Sequence, residues 1–203
     1  MAVLVGNAAD IYIATGTGTS MTGEAVTSLG SGVYQITNTA KRAINPNASV
    51  TVLDGVSTVP QANYQIGWAS GKITLTNGYT AGGTITITGE YLTLAQAAQA
   101  YEWSYDSEVI TEESQTFGDT WKERTLVMKS GTISFQRFYN NAYFANTNLG
   151  SYYVLYLYTD LSGNERFMAA GHMTSTGITS GENELIKENV TFALHGEVDF
   201  STT

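Results

Sequence analysis

Alternation of apolar and polar residues at a period of two dominates this chain, and it is clearest where carboxylates hold the polar positions. Tyr101, Trp103, Tyr105 and Val109 interleave with Glu102, Ser104, Asp106 and Glu108, and Leu194, Val198 and Phe200 interleave with His195, Glu197 and Asp199. A period of two sends successive side chains to opposite faces of a sheet, so both stretches predict strands with an apolar inner face and an acidic outer one. The two acidic faces are expected to lie together on one side of one sheet.

Shorter strands are predicted before residue 92: 10–15, 32–38, 49–59, 64–68, 72–76 and 84–91, separated by turn chemistry. Asp54-Gly55 between β-branched runs is a hairpin signal, because a two-residue hairpin turn needs positive φ. Thr93 to Ala100 is alanine-rich and reads as one or two helical turns or an extended connector. Longer strands follow at 101–110, 121–129, 132–139, 152–159, 165–174 and 188–200. An acidic loop is expected at 111–120 and a short helix within 140–149. Tyr152 to Tyr158 has no polar face, which implies a core on one side and another subunit on the other. The expected fold is all-β, a β-sandwich or barrel over 101–203, with one short helix, preceded by a small β-rich region over 1–92 and a connector over 93–100.

Composition sharpens the picture of a surface made to be covered. The 203 residues are 42% hydrophobic and only 13% charged, against roughly 25% charged in ordinary globular domains. Net charge is −9, which argues against gripping nucleic acid, since that affinity comes from Lys and Arg on phosphates. The charge is lopsided: residues 1–100 carry three basic and four acidic side chains, residues 101–203 six and fourteen. With no cysteine there is no disulfide, thiolate metal site or cysteine nucleophile. No signal peptide or membrane-length apolar run is evident, so a soluble protein without a targeting signal or membrane partner is expected.

Candidate chemistry is sparse. His195, Glu197 and Asp199 with Glu182 and Glu184 could surround a divalent cation, but no ligand spacing is diagnostic and a solvated strand face accounts for them. Glu112-Glu113 or Asp106 and Glu108 could suggest glycoside hydrolysis, which needs one carboxyl raised in an apolar pocket; adjacent acids among Ser and Thr are ordinarily solvated. Trp68, Trp103 and Trp121 with thirteen tyrosines could form a sugar-stacking face, and a carbohydrate-binding adhesin or lectin-like module is the alternative function. Gly16-Thr17-Gly18 lacks a phosphate-loop context, and Lys41-Arg42 is too small a patch for nucleic-acid recognition. Neither an enzyme nor a cofactor is expected.

Several segments together resemble the tail tube (major tail) proteins of long-tailed, non-contractile bacteriophages. They are Tyr101-Glu102-Trp103, the run Thr116-Phe117-Gly118-Asp119-Thr120-Trp121-Lys122-Glu123-Arg124, Tyr152 to Tyr158, Gly171 to Ile178, and Val190-Thr191-Phe192 closing on Gly196-Glu197-Val198. Asp10 to Gly16, Tyr34 to Arg42 and Gly89-Glu90-Tyr91-Leu92 extend the likeness into the first half. The resemblance implies a structural virion protein, assembled in the host cytoplasm, that forms hexameric rings stacked into a hollow tube. Its implied partners are copies of itself, a tape-measure protein, tail-tip and terminator proteins, and DNA passing through the lumen unbound. On that footing Glu102, Asp106, Glu108, Glu197 and Asp199 are expected to face the lumen. Glu112, Glu113, Phe117 and Asp119 are expected in an inter-ring loop, and Tyr152, Tyr156 and Tyr158 at a lateral interface. The region over 1–92 is expected to be an outward-facing domain or, alternatively, an elaboration threaded into the tube wall.

Overall fold

The computed structural model describes residues 10–97, 100–114, 123–139, 144, 148–161, 163–182 and 184–202. The protein is all-β, built from two curled antiparallel sheets. The first half supplies β1 (Ile11–Ala14), β2 (Thr19–Gly30), β3 (Val33–Ile36), β4 (Thr51–Asp54), β5 (Ser57–Thr58), β6 (Tyr64–Gly67), β7 (Lys72–Leu75) and β8 (Ile85–Tyr91). After them come β9 (Ala95–Gln96), β10 (Ala100–Ser114), β11 (Glu123–Phe138), β12 (Tyr152–Asp160), β13 (Glu165–Thr179), β14 (Lys187–Leu194) and β15 (Asp199–Ser201).

The seven-stranded sheet runs β5-β4-β8-β2-β3-β7-β6 and lies wholly within residues 19–91. Ile36, Ile44, Val52, Ile73 and Ile87 form its dry interior. The Asp54-Gly55 turn closes β4 on β5 as expected, with Gly55 at φ 62°. Asp54 then accepts hydrogen bonds from the amides of Gly82 and Gly83 and from the Tyr79 hydroxyl, which hold its carboxyl below the usual range.

The second sheet runs β10-β11-β14-β13-β12-β1-β9, with β15 pairing on β13. Its inner faces enclose one core of Ile11, Ile13, Ile133, Phe135, Tyr153, Leu155, Leu157, Val190 and Phe192, with Phe144 wedged against Phe135 and Tyr153. Trp103 and Tyr105 of β10 complete that core from the apolar side of the alternation. Inside it, the Arg137 guanidinium bonds Glu188 at 2.6 Å, both side chains almost wholly buried, and Thr176 donates to the other carboxylate oxygen.

Pairing crosses the expected boundary at residue 92. β1 lies between β12 and β9, so the chain enters the second sheet before it builds the first. The connector is extended rather than helical: β9 pairs with β1, which satisfies its backbone inside the sheet. The strands expected at 121–129 and 132–139 form one over their described part, Glu123–Phe138, because Ser130 and Gly131 pass straight through opposite Glu108 and Ser107. Most of the expected helix at 140–149 lies outside the described residues.

Candidate assembly surface

The acidic alternation of β10 falls where the inner face demands. Trp103 and Tyr105 point into the core, so Glu102, Ser104, Asp106 and Glu108 stand on the outer face, all exposed. Register extends this face across the sheet: Glu102 lies opposite Gln136 and Asn189, Ser104 opposite Ser134 and Thr191, Asp106 opposite Thr132 and Ala193, Glu108 opposite Ser130. On β13 the face continues through Ser175 and Gly177. A bulge at Tyr101 turns its ring onto Phe138, at 4.7 Å between centroids. The result is a broad surface of hydroxyls and amides carrying three carboxylates on its β10 border.

The same four-strand segment has two open margins. Among the described strands, none pairs the outer edge of β10 along its whole length. At the opposite margin, β12 ends at Tyr152 against His172, and the last bonds on that side join Met173 to Ser151 and Gly150. Beyond it, Thr174 to Thr179 is paired on the β14 side, and no described strand lies on the other. One edge is acidic and the other, Thr-Ser-Thr-Gly-Ile-Thr, carries no charge. The sequence signals the first through its alternation; the second is invisible there because nothing in it marks where β12 stops.

β10 and β11 also run past the sheet. Thr132 is the last β11 residue paired to β14, while Glu123 to Gly131 pair only with β10. This two-stranded arm is about 25 Å long at ~3.4 Å per residue. It corrects the first residues of the loop expected at 111–120: Glu112 and Glu113 are strand residues opposite Thr125 and Arg124, because the hairpin ladder continues through them. Phe117 and Asp119 lie outside the described residues.

The acids near the C-terminus do not behave as one face. β14 ends at Leu194, His195 bonds back to Ala170, and Gly196 turns the chain at φ 88° before β15 pairs with Arg166 to Met168 of β13. Glu197 is left exposed beside Glu108, across a groove of about 690 Å³ lined by Tyr105, Val109, Lys129, Leu194 and Val198. Asp199 turns the other way and forms an ion pair with Lys72 of the seven-stranded sheet. It is therefore removed from the lumen set: its carboxylate is held between the sheets.

That junction also accounts for the aromatic strand. Val154, Tyr156 and Met168 on the outer face of β12 and β13 pack with Ala14 against Ala43, Ala69 and Leu92. The Tyr156 hydroxyl donates to the Ala69 carbonyl at 2.6 Å, and burial pushes its pKa up to about 12. Arg166 lies over Tyr156 and Tyr158 at 5.4 and 5.6 Å, and Tyr158 meets Tyr12 edge to face. Tyr152 is buried beside His172 and His195, its hydroxyl likewise pushed up to about 12 by burial. Tyr152 and Tyr156 are thus unavailable to a lateral neighbour: the second cover expected from another subunit comes, at Tyr156, from this chain's own first sheet. Among the described residues, no cluster of three His, Asp or Glu side chains could hold a metal ion.

No protein-family model matches the chain, and no curated protein matches it. Among solved structures it is similar to a chain in the virion of a native gene transfer agent particle, with TM-score 0.40 and 12% identity over 53% of this chain and 88% of that one. It is similar also to a chain in the tail of an empty gene transfer agent particle refined helically with C6 symmetry, with TM-score 0.35 and 12% identity over 54% of this chain and 87% of that one.

Proposed function

We propose that this chain is a structural tail-tube protein of a phage-like virion, polymerising as stacked rings into a hollow tube through which DNA passes. The observation that carries the reading is the pair of open margins on β10 and on Thr174 to Thr179 of β13. An unpaired strand edge is a template for another chain. Self-pairing of β10 about a two-fold axis would set its carboxylates against one another, which is unfavourable. Pairing β10 of one copy with the neutral β13 edge of the next avoids that conflict, and because the two surfaces differ, the contact is heterologous, the kind that builds a ring where its rotation closes. Such a ring carries the β10-β11-β14-β13 sheet around continuously, hexameric as the resemblance implies.

The outer face of that sheet is assigned to the lumen. Glu102, Asp106 and Glu108 would then repel DNA phosphates, while the surrounding hydroxyls and amides offer no fixed cation to trap them. Glu197 joins them at the groove. The arm formed by β10 and β11 is assigned to the contact between rings, with Glu112, Glu113, Phe117 and Asp119 at or beyond its described end. Neither catalysis nor a cofactor enters this function, and the tape-measure and tail-tip proteins are its proposed partners in the virion.

Negative-stain electron microscopy of the purified protein tests the reading directly. Rings or hollow tubes are the expected result; a monodisperse monomer at high concentration, with neither form present, would refute it. A tube structure with Glu102, Asp106 and Glu108 on its outer wall would leave assembly standing and remove the lumen assignment.

A further inference from the structure

The seven-stranded sheet carries a groove outside the strands assigned above to ring assembly. Tyr64, Ile66 and Trp68 alternate along β6 and just past it, so their side chains share one face. They line a groove together with Pro46, Ala48, Ser49, Val50 and Gln61. Among the described strands β6 pairs with β7 alone; on its other side the Tyr64 hydroxyl donates to the Val50 carbonyl at 3.3 Å and, just past β6, the Ile44 amide donates to the Trp68 carbonyl at 2.8 Å. The groove encloses about 370 Å³.

Three properties define what this groove can take. It carries no charged side chain in a chain of net charge −9, so an anion meets no counter-charge and a cation no carboxylate. Its walls are the rings of Trp68 and Tyr64, which pack on one side against the sheet's core and stay partly exposed, with the flat ring of Pro46, which suits a ligand with an apolar face. Around them stand the Gln61 amide, the Ser49 hydroxyl and the Trp68 indole N–H, none of which bonds another described residue. The volume lies at the low end of small-ligand sites, roughly 300 to 1,000 Å³, which suits one or two small rings.

We propose that this groove is a binding site for a neutral carbohydrate of one or two sugar rings, stacked on Trp68 and Tyr64 and hydrogen-bonded by Gln61 and Ser49. The site rests on the seven-stranded sheet alone, so it stands or falls independently of ring assembly. It would give the assembled particle a weak, repeated affinity for a glycan-coated surface, strengthened by multivalency along a polymer.

The probe is a panel of neutral mono- and disaccharides of glucose, galactose and N-acetylglucosamine, with sulfated counterparts and an extended apolar peptide alongside. Titration is followed by backbone amide shifts, which localise binding. The expected result is saturable binding by at least one neutral sugar, with shifts confined to residues 46–50 and 61–68. Trp68→Ala should weaken it about tenfold, and Gln61→Ala, at an exposed position that the fold does not need, by about threefold or more. No neutral sugar binding, shifts elsewhere, equal binding of the sulfated sugars, or preference for the peptide would each overturn the proposal. Should Trp68→Ala lose the folded spectrum, Gln61→Ala and Ser49→Ala decide, and unchanged affinity in both refutes the site.

Discussion

Making the neutral margin of β13 acidic should abolish ring closure while leaving the subunit folded. Ser175 and Gly177 stand on the outer face opposite Thr191 and Asn189, both exposed, and a Cβ built on Gly177 meets nothing within 4 Å. Glutamate at both positions therefore costs the monomer little, on the order of 0.5 kcal/mol. In the proposed lateral contact the new carboxylates face the β10 edge of the next copy, with Glu102, Asp106 and Glu108 in reach. Like charges directly opposite across strands cost roughly 0.2 to 1 kcal/mol per pair. Two pairs make about 1 kcal/mol per contact, and a ring of about six contacts multiplies this to about 6 kcal/mol, enough to suppress closure near the assembly threshold. The assay is sedimentation velocity with negative stain at low and high salt, with thermal unfolding as the folding control. Because the Debye length shrinks from about 8 Å at physiological salt to about 3 Å at 1 M, high salt should restore rings, and so should Glu102→Lys with Asp106→Lys in the same chain. Normal tubes at low salt from the Ser175→Glu, Gly177→Glu variant would refute the edge pairing.

Three further outcomes follow from the interior. Glu188→Ala should destabilise the subunit by about 3 to 5 kcal/mol, since it breaks a buried ion pair by removing one partner; a urea midpoint unchanged from the parent would contradict that burial. Asp199→Asn removes the Lys72 ion pair, whose side chains are 11% and 33% exposed, and should cost about 1 to 2 kcal/mol, the partial exposure of Lys72 keeping it below a fully buried pair; faster amide exchange in β15 is the local readout. At alkaline pH the sign is set by tyrosines: Tyr156 and Tyr152 titrate near 12 in the folded state against 10.0 ordinarily, so the unfolded chain loses those protons first. Their contribution is complete below pH 10 and is lost as pH climbs toward 12, and Tyr156→Phe should flatten that decline in urea titrations, whereas an unchanged slope would show that Tyr156 is not the group responsible.

Alternation made the inner core legible: Trp103 and Tyr105 inward, Glu102, Asp106 and Glu108 outward, all follow from the period. The Asp54-Gly55 hairpin was equally readable, since its turn residues announce their backbone. β2 was not, because Thr19–Gly30 buries only Met21 fully and its pattern is interrupted at Gly23, where positive φ shifts the register against β8. Nor could alternation say which cover lies over Tyr156. Period and hydropathy report that a residue must be buried, and are silent on whether its own chain or another copy does the burying.

The C-terminal acids show the limit most sharply. Read as one strand, 188–200 puts His195, Glu197 and Asp199 on one face, yet a single positive-φ glycine at 196 sends Glu197 to the groove beside Glu108 and Asp199 to Lys72 on the far side. The turn is favoured because β13 outlasts β14: above Gly171 its edge at Arg166 to Met168 is open, and β15 fills it. The same departure leaves β11 without its β14 partner beyond Thr132, paired to β10 alone, and so frees the arm. One glycine therefore links three features of the proposed assembly, the lumen border, the junction with the first sheet and the projecting hairpin. A Gly196→Val substitution, strained at φ 88°, should perturb all three together, seen as coupled changes in β15 exchange, arm protection and tube yield. Loss of tube yield with β15 exchange and arm protection unchanged would sever that link.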